Sequence, residues 1–425
     1  MKRYSEYKDS GVKWIGEIPR HWECRKLKTL LLSPLQYGAN ASGVPYSEHL
    51  PRYIRITDIT LEGKLKHSDK LSLSNEDAAK YILKDKDILF ARSGASVGKT
   101  FLYKKEYGLS AFAGYLIKAE LGKELIPELL FYFTQSDIYE SWKNGIFIQS
   151  TIQNIGADKY SQLQIALPPL PEQEAIVTYL DTKVAKIDEY ISIAEKKIAA
   201  LEELKQTIIA EAVTRGIHKD VPMKDSGVKW IGMIPEHWKV NKIRSHFKER
   251  RVKVSDKDFQ ALSVAKIGIV PQLEDACKTD NGDNRKQVLK GDFVVNSRSD
   301  RKGSCGISPL DGSVSLINIV LRPFNILQEY VHYLFRSHNY IEEFYRNGRG
   351  IVADLWTTRY SEMRNIQIPV PPLAEQQEIV TYIEAKVANI NQLCQAERSQ
   401  IEKLKEYKQR LISDVVTGKV KVTND

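Results

Sequence analysis

Several things are scarce in this chain, and each scarcity removes a class of function. No apolar run approaches the roughly 20 residues that span a bilayer, and the opening MKRYSEYKDS has no apolar stretch of a secretory leader. A cytosolic protein without a membrane partner is expected. Only four cysteines occur, Cys24, Cys277, Cys305 and Cys394. They stand far apart, with neither CxxC spacing nor nearby histidines, so a zinc site and a disulfide framework are both unsupported. Low-complexity tracts are absent, and a hydrophobic fraction of 42% over 425 residues supplies cores for two or three domains.

Catalytic patterns are missing as well. Ser93–Thr100 (SGASVGKT) ends like a phosphate-binding loop, but Gly94 and Gly98 enclose three residues where four are required. The following FLYKKEYG has strand character rather than the helix such a loop needs. No Gly-rich cofactor turn, no Asn-Pro-Pro-aromatic motif and no Pro-Asp…Glu-x-Lys pattern appears elsewhere. The eight histidines are scattered. The chain reads as a binder with no catalytic residues, no metal ligands and no cofactor of its own.

What is abundant is repetition. Lys8–Trp22 (KDSGVKWIGEIPRHW) returns as Lys224–Trp238 (KDSGVKWIGMIPEHW), identical at 13 of 15 positions at an offset of 216. Pro168–Asp188 returns as Pro371–Asn391, identical at 13 of 21 positions at an offset of 203. The segments between share neither length nor sequence. Constant frames around divergent inserts predict one scaffold carrying two different readers. The large apolar groups of the WIG-x-IP-x-HW box predict packing against the start of the domain or the long helices in preference to ligand stacking.

Both inserts follow one order of elements. Arg52–Leu65 alternates as a half-buried strand, Asp87–Gly94 is a short apolar run ending in a Gly/Ser turn, GYLIKAEL is a further strand, and ELIPELLFYFTQSDIYESW is an amphipathic helix. The second insert repeats this with FQALSVAKIGIV, GDFVVNSRSDRKG, VSLINIVLRPF and EYVHYLFRSHNYIEEFY, so that Asp87 corresponds to Asp292. After each insert a proline pair ends the preceding structure. A long apolar period then begins: Ile176, Leu180, Val184, Ile187, Ile191, Ala194, Ile198, Leu201, Leu204 and Ile208, echoed by Ile379, Ile383, Val387, Ile390, Ile401, Leu404, Tyr407 and Leu411. Each helix would extend on the order of 60 Å. One apolar stripe on so long a helix needs a partner; antiparallel pairing of the two copies is expected to supply it, and a separate protein's helix is the competing partner. The expected fold is mixed α+β, within the α/β class. A first domain would span 1–167 and a first long helix 168–217. The second domain would span 218–370, and a second long helix with its tail 371–425, as an internal pseudo-two-fold repeat.

Charge points to the ligand. The chain holds 63 Lys and Arg against 54 Asp and Glu, a net +9, which permits a polyanion. Basic residues crowd into Lys242–Lys257 and around Arg298, Arg301 and Lys302. Arginine suits guanine and glutamine suits adenine through paired hydrogen bonds. Where the polyanion is a nucleic acid, as the resemblance given below implies, the candidate base contacts are Arg92, Ser93, Lys99, Gln149 and Gln153 in the first domain. In the second they are Arg298, Arg301, Lys302, Arg349 and Arg359.

The doubled SG-V-x-WIG-x-IP-x-HW box and the doubled PPL-x-EQ-x-x-I-V helix start, with YIRITDI (Tyr53–Ile59) and DILFARSGASVGKT between them, resemble the specificity subunit of type I restriction–modification enzymes. That resemblance covers essentially the whole chain. It implies two target recognition domains, each reading one half of a split site on double-stranded DNA, held apart by the helices. It also implies two modification subunits, which bind S-adenosylmethionine and methylate adenine, and motor–nuclease subunits that use ATP and magnesium. The repeated blocks would be the docking surface for the modification subunits. Two other classes stay open at this stage: a coiled-coil scaffold, which needs no basic turns, and a stand-alone DNA-binding regulator, which needs no repeated boxes.

Overall fold

The computed structural model describes residues 2–60, 63–66, 68–147, 153–272, 282–350 and 356–422. The chain forms two compact units, Met1–Ala194 with Ser399–Asp425, and Glu195–Arg398. Each unit mixes small sheets with helices, and each contains the start of one long helix and the end of the other. The long helices run Leu170–Arg215 and Leu373–Val416. Within the described residues no helix is long and apolar enough to cross a membrane.

In the first unit a four-stranded antiparallel sheet takes the order Gln36–Tyr37, Leu116–Ala119, Ile88–Ala91, Thr100–Leu102. A second sheet orders Ser110–Phe112, Arg52–Ile54, Leu71–Ser72 and Val44–Pro45, with the first pair parallel. In the second unit the central sheet runs Phe247–Glu249, Asn318–Pro323, Phe293–Asn296, Cys305–Ile307. Thr100–Leu102 is a strand, preceded by a 3-10 turn at Gly94–Ser96, so the residues after Gly98 cannot form a phosphate loop.

Three expectations for the elements change. Arg52–Leu65 is not one strand: Asp58 accepts hydrogen bonds from Arg55 N (2.8 Å) and from the Arg55 guanidinium, and the chain winds into a 3-10 turn at Ile56–Asp58. The single helix expected after it is two, Pro127–Phe133 and Asp137–Phe147. Ser136 breaks it, its hydroxyl bonding Phe133 O and accepting from Tyr139 N. Ser337 does the same between Gln328–Arg336 and His338–Arg346. The long stripe also deviates. Leu204 and Tyr407 are each 48% exposed, because Ile198–Leu201–Leu204 and Ile401–Leu404–Tyr407 take two successive steps of three. Each such step turns about 60° away from the buried line.

Pairing of the long helices is antiparallel. In the second unit Lys197 meets Glu397, whereas further along Lys205 meets Asn391 (3.3 Å). In the first, Lys408 reaches Asp188 (2.6 Å), and Ile187 shares a core with Leu411 and Ile412.

Within each unit the WIG-x-IP-x-HW box touches a PPL-x-EQ helix start. In the first unit Glu172, at the start of its long helix, accepts from Trp22 Nε1 (2.9 Å) and Tyr4 OH and meets His21 Nε2 (2.9 Å). The neighbouring Gln173 ties Ile126 N to Pro168 O. In the second unit Glu375 meets His237 (2.7 Å), and Gln376 ties Leu327 N to Pro371 O. Each box also closes over the end of a long helix: Gly418 lies against Pro19 and Trp22, and Gly216 against Trp238 and Pro235. Trp22 and Trp238 are buried. The identity of the repeats is therefore used inside each unit.

Candidate nucleic-acid interface

A buried aspartate precedes the candidate turn in both units. Asp87 accepts Lys84 N (2.8 Å), and Asp292 accepts Leu289 N (2.9 Å). Each thereby fixes the turn that launches the central strand. Asp292 also receives Arg250 Nε (2.6 Å) and Nη2 (3.1 Å), and this contact raises the arginine's pKa further. Asp87 has only Lys118 at 3.9 Å, and burial raises its pKa. Arg250, part of the basic run Lys242–Lys257, is thus internal. Arg251 and Lys286 both meet Glu249, with Lys286 enclosed and Arg251 still exposed.

Where the first unit's strand Ile88–Ala91 ends, Arg92 is held by its backbone: its N–H donates to Tyr115 O, and its carbonyl accepts from Ile155 N, both at 2.9 Å. Ser93 forms a bridge with Asn154, which brings the exposed Gln153 beside the turn. The Arg92 guanidinium lies 5.1 Å over the Tyr37 ring. Lys99 stands at the far end of the same turn, its carbonyl accepting from Ala91 N (2.7 Å). Gln149 lies outside the described residues.

The second unit builds the same junction with different side chains. Position 297 holds a buried serine whose hydroxyl bonds Ile317 O (2.6 Å). The arginine comes one residue later. Arg298 bridges Thr357, which also bridges Arg349. Asp300 draws in both Arg298 (3.2 Å) and Arg301 (3.7 Å). Lys302 pairs with Glu342 (3.1 Å) and sits 5.8 Å over Tyr345. Tyr345 OH in turn donates toward Asn296 O and Arg301 O, and burial raises its pKa. A surface cavity of about 360 Å³ lies among Asp300, Lys302, Glu342, Tyr345 and Trp356. Arg349 is exposed, 4.0 Å from Glu362, and Arg359 caps the short helix Tyr360–Met363.

The turns thus gather Arg92, Ser93, Lys99 and Gln153 at one site, and Arg298, Arg301, Lys302 and Arg349 at another, with Arg359 two residues past Thr357. Tyr37, Tyr115 and Asn154 in the first unit, and Asp300, Thr357 and Trp356 in the second, complete these sites and were missed from sequence. Asp300 was legible, since it stands between the two arginines it pairs. Tyr37 carried no signal, because it reaches Arg92 across 55 residues of chain. Among the described residues no group of three or more His, Cys, Asp or Glu could hold a metal.

Comparison with known proteins agrees with this doubled architecture. The profile of the type I restriction modification DNA specificity domain matches twice, at residues 53–203 and 239–403. The putative type I restriction enzyme MjaX specificity subunit of Methanocaldococcus jannaschii is 28% identical, covering 98% of both chains. The EcoKI specificity subunit of Escherichia coli is 25% identical over 52% of this chain and 47% of its own. Among solved structures, one described as the structural basis underlying complex assembly and conformational transition of the type I R-M system matches with a TM-score of 0.68, at 16% identity. It covers 95% of this chain and 99% of that one. The HsdS subunit from Thermoanaerobacter tengcongensis matches with a TM-score of 0.51 at 18% identity, over 95% and 98%. These two share the fold. Two matches to the specificity-domain profile, together covering most of the chain on one repeated frame, make this chain a member of the type I restriction–modification DNA specificity subunit family.

Proposed function

We propose that each domain reads one half of a bipartite target on double-stranded DNA, at the Arg92 turn and the Arg298 turn. The observation that carries this reading is the shared junction with unshared side chains. A buried aspartate, a strand and a backbone bridge recur, while the residues presented there change from Arg92, Ser93 and Gln153 to Arg298, Arg301 and Lys302. Variation confined to a fixed mount is what two sequence readers on one scaffold require.

In the same reading the chain is non-catalytic and works in the cytoplasm with two modification subunits and with motor–nuclease subunits. S-adenosylmethionine, ATP and magnesium would belong to those partners. The long helices would set the unread spacer, and exposed apolar side chains that recur on them support a docking role: Tyr190 with Leu393, and Leu204 with Tyr407. The domain limits proposed are 1–167 and 218–370, with helical frames at 168–217 and 371–425.

The test is to methylate a random-sequence plasmid library with the chain assembled with its modification subunits, then sequence the modified bases. A bipartite methyl-adenine motif with a fixed gap is expected. Methylation without a split motif would overturn the reading. Lengthening both helices by matched heptads should change the gap and leave the half-site bases alone.

A further inference from the structure

We infer that Arg92 reads a guanine through the major groove in the half-site of the first domain, with Tyr37 and Asn154 as its positioning residues. This rests on the proposed DNA-reading role of that turn and adds the base to it. Arg92 is fixed at three levels. Its backbone N–H and carbonyl are both bonded, to Tyr115 and Ile155. Its guanidinium lies over Tyr37 at 5.1 Å. That ring is itself tethered, because the Tyr37 hydroxyl accepts from Ala157 N at 3.0 Å.

Two polar atoms at this turn are buried without a hydrogen-bond partner among the described residues: Arg92 Nε and Asn154 Oδ1. The backbone bridge between Ser93 and Asn154 puts them on neighbouring strands of one junction. Leaving such groups unmatched costs stability. Meanwhile Tyr115, 63% exposed, and Tyr37, 41% exposed, present ring surface on the same rim.

The chemistry selects the ligand. A guanidinium held 5.1 Å over a ring keeps its planar fork of N–H donors in place, which suits a ligand with two acceptors side by side. Guanine offers O6 and N7 in that arrangement. Adenine places a donor beside its N7, and the pyrimidines offer no such pair. A phosphate also offers paired oxygens to a guanidinium, and it is told from a base by its indifference to sequence. The second domain differs: Arg298 and Arg301 both lean on Asp300, so the inference is confined to Arg92.

The experiment uses the complete modification complex and duplexes carrying its own motif. Replacing the contacted guanine by 7-deazaguanine, which lacks N7, should weaken wild-type binding on the order of tenfold. Inosine, which keeps O6 and N7, should be neutral. In the Arg92→Ala complex the 7-deazaguanine penalty should vanish while discrimination at the other half-site persists, which also shows that the chain is folded. Arg92→Lys should keep part of the affinity but not the discrimination, and Tyr37→Ala should weaken discrimination more than total binding. Three results would overturn the inference: a relaxed half-site without guanine, a penalty that survives in Arg92→Ala, or equal loss on every sequence, which marks a phosphate contact. A wild-type complex without sequence preference would instead sink the underlying reading.

Discussion

Asp87 and Asp292 occupy the same place in the two domains and keep different company. Asp292 is buried against Arg250, whose side chain is also largely enclosed. Asp292→Ala leaves that guanidinium without its carboxylate, and should cost about 3–5 kcal/mol. Chemical denaturation of the full chain measures this, and adding Arg250→Met should restore part of the loss, since no charge is then left unpaired. Asp87 has Lys118 at 3.9 Å, beyond hydrogen-bond reach, and burial raises its pKa above the ordinary 3.8 against the pull of that charge. A carboxyl with a raised folded pKa contributes stability that is fully present below the unfolded value and is lost as pH rises through the folded one. Asp87→Asn keeps an oxygen for Lys84 N and cannot ionise. The stability of wild type relative to Asp87→Asn should therefore decline as pH rises from about 3.8 and then level off. A difference that stays flat in acid titrations followed by circular dichroism would show that the burial has no such effect.

At the scale of elements, the ends of the long helices separate two jobs that share one sequence frame. Gly418 and Gly216 both have positive φ, +72° and +76°, the left-handed residue that ends a helix. A Cβ at Gly418 would lie 2.4 Å from Pro19 Cδ, whereas at Gly216 its nearest neighbour, Trp238, is 3.2 Å away. Both Gly→Ala changes carry the backbone cost of roughly 1 kcal/mol, but only Gly418→Ala forces the box off its helix. It should lower the midpoint of thermal unfolding clearly more than Gly216→Ala does; equal shifts would mean the box yields freely. The long helices were legible in the sequence because a period of 3.6 sustained over forty residues has no other reading. The breaks at Ser136 and Ser337 were not, since each rests on the serine hydroxyl bonding back to Phe133 O or Leu334 O, a bond that a serine inside a continuous helix can also make. The 3-10 turn at Ile56–Asp58 was equally hidden: it depends on Asp58 turning back to Arg55, and that choice competes with a strand of the same alternation.

For the molecule as a whole, sequence and structure divide the work unevenly. Repetition and spacing were enough for the frame, and the order of basic turns supplied the candidate sites. The partners that give each site its character come from distant segments: Tyr37 for Arg92, and Glu342 for Lys302. One pairing has a larger consequence. Lys2 forms an antiparallel bridge with Lys421, and Tyr7 OH bonds Gly418 O (3.0 Å), so the segment after the second long helix runs into the first box. The segment after the first long helix runs on covalently into the second box, through 216–222. In order of elements the protein is cyclic, a ring with a single cut. Joining Asp425 to Met1 through a short flexible linker and reopening the chain in the exposed stretch Lys219–Asp220 should give a protein with the same methylation motif. A permuted chain that folds but marks a different motif would show that the position of the cut matters. If the motif is kept, neither domain is first: the numbering runs from one box to the other only because the ring was opened there.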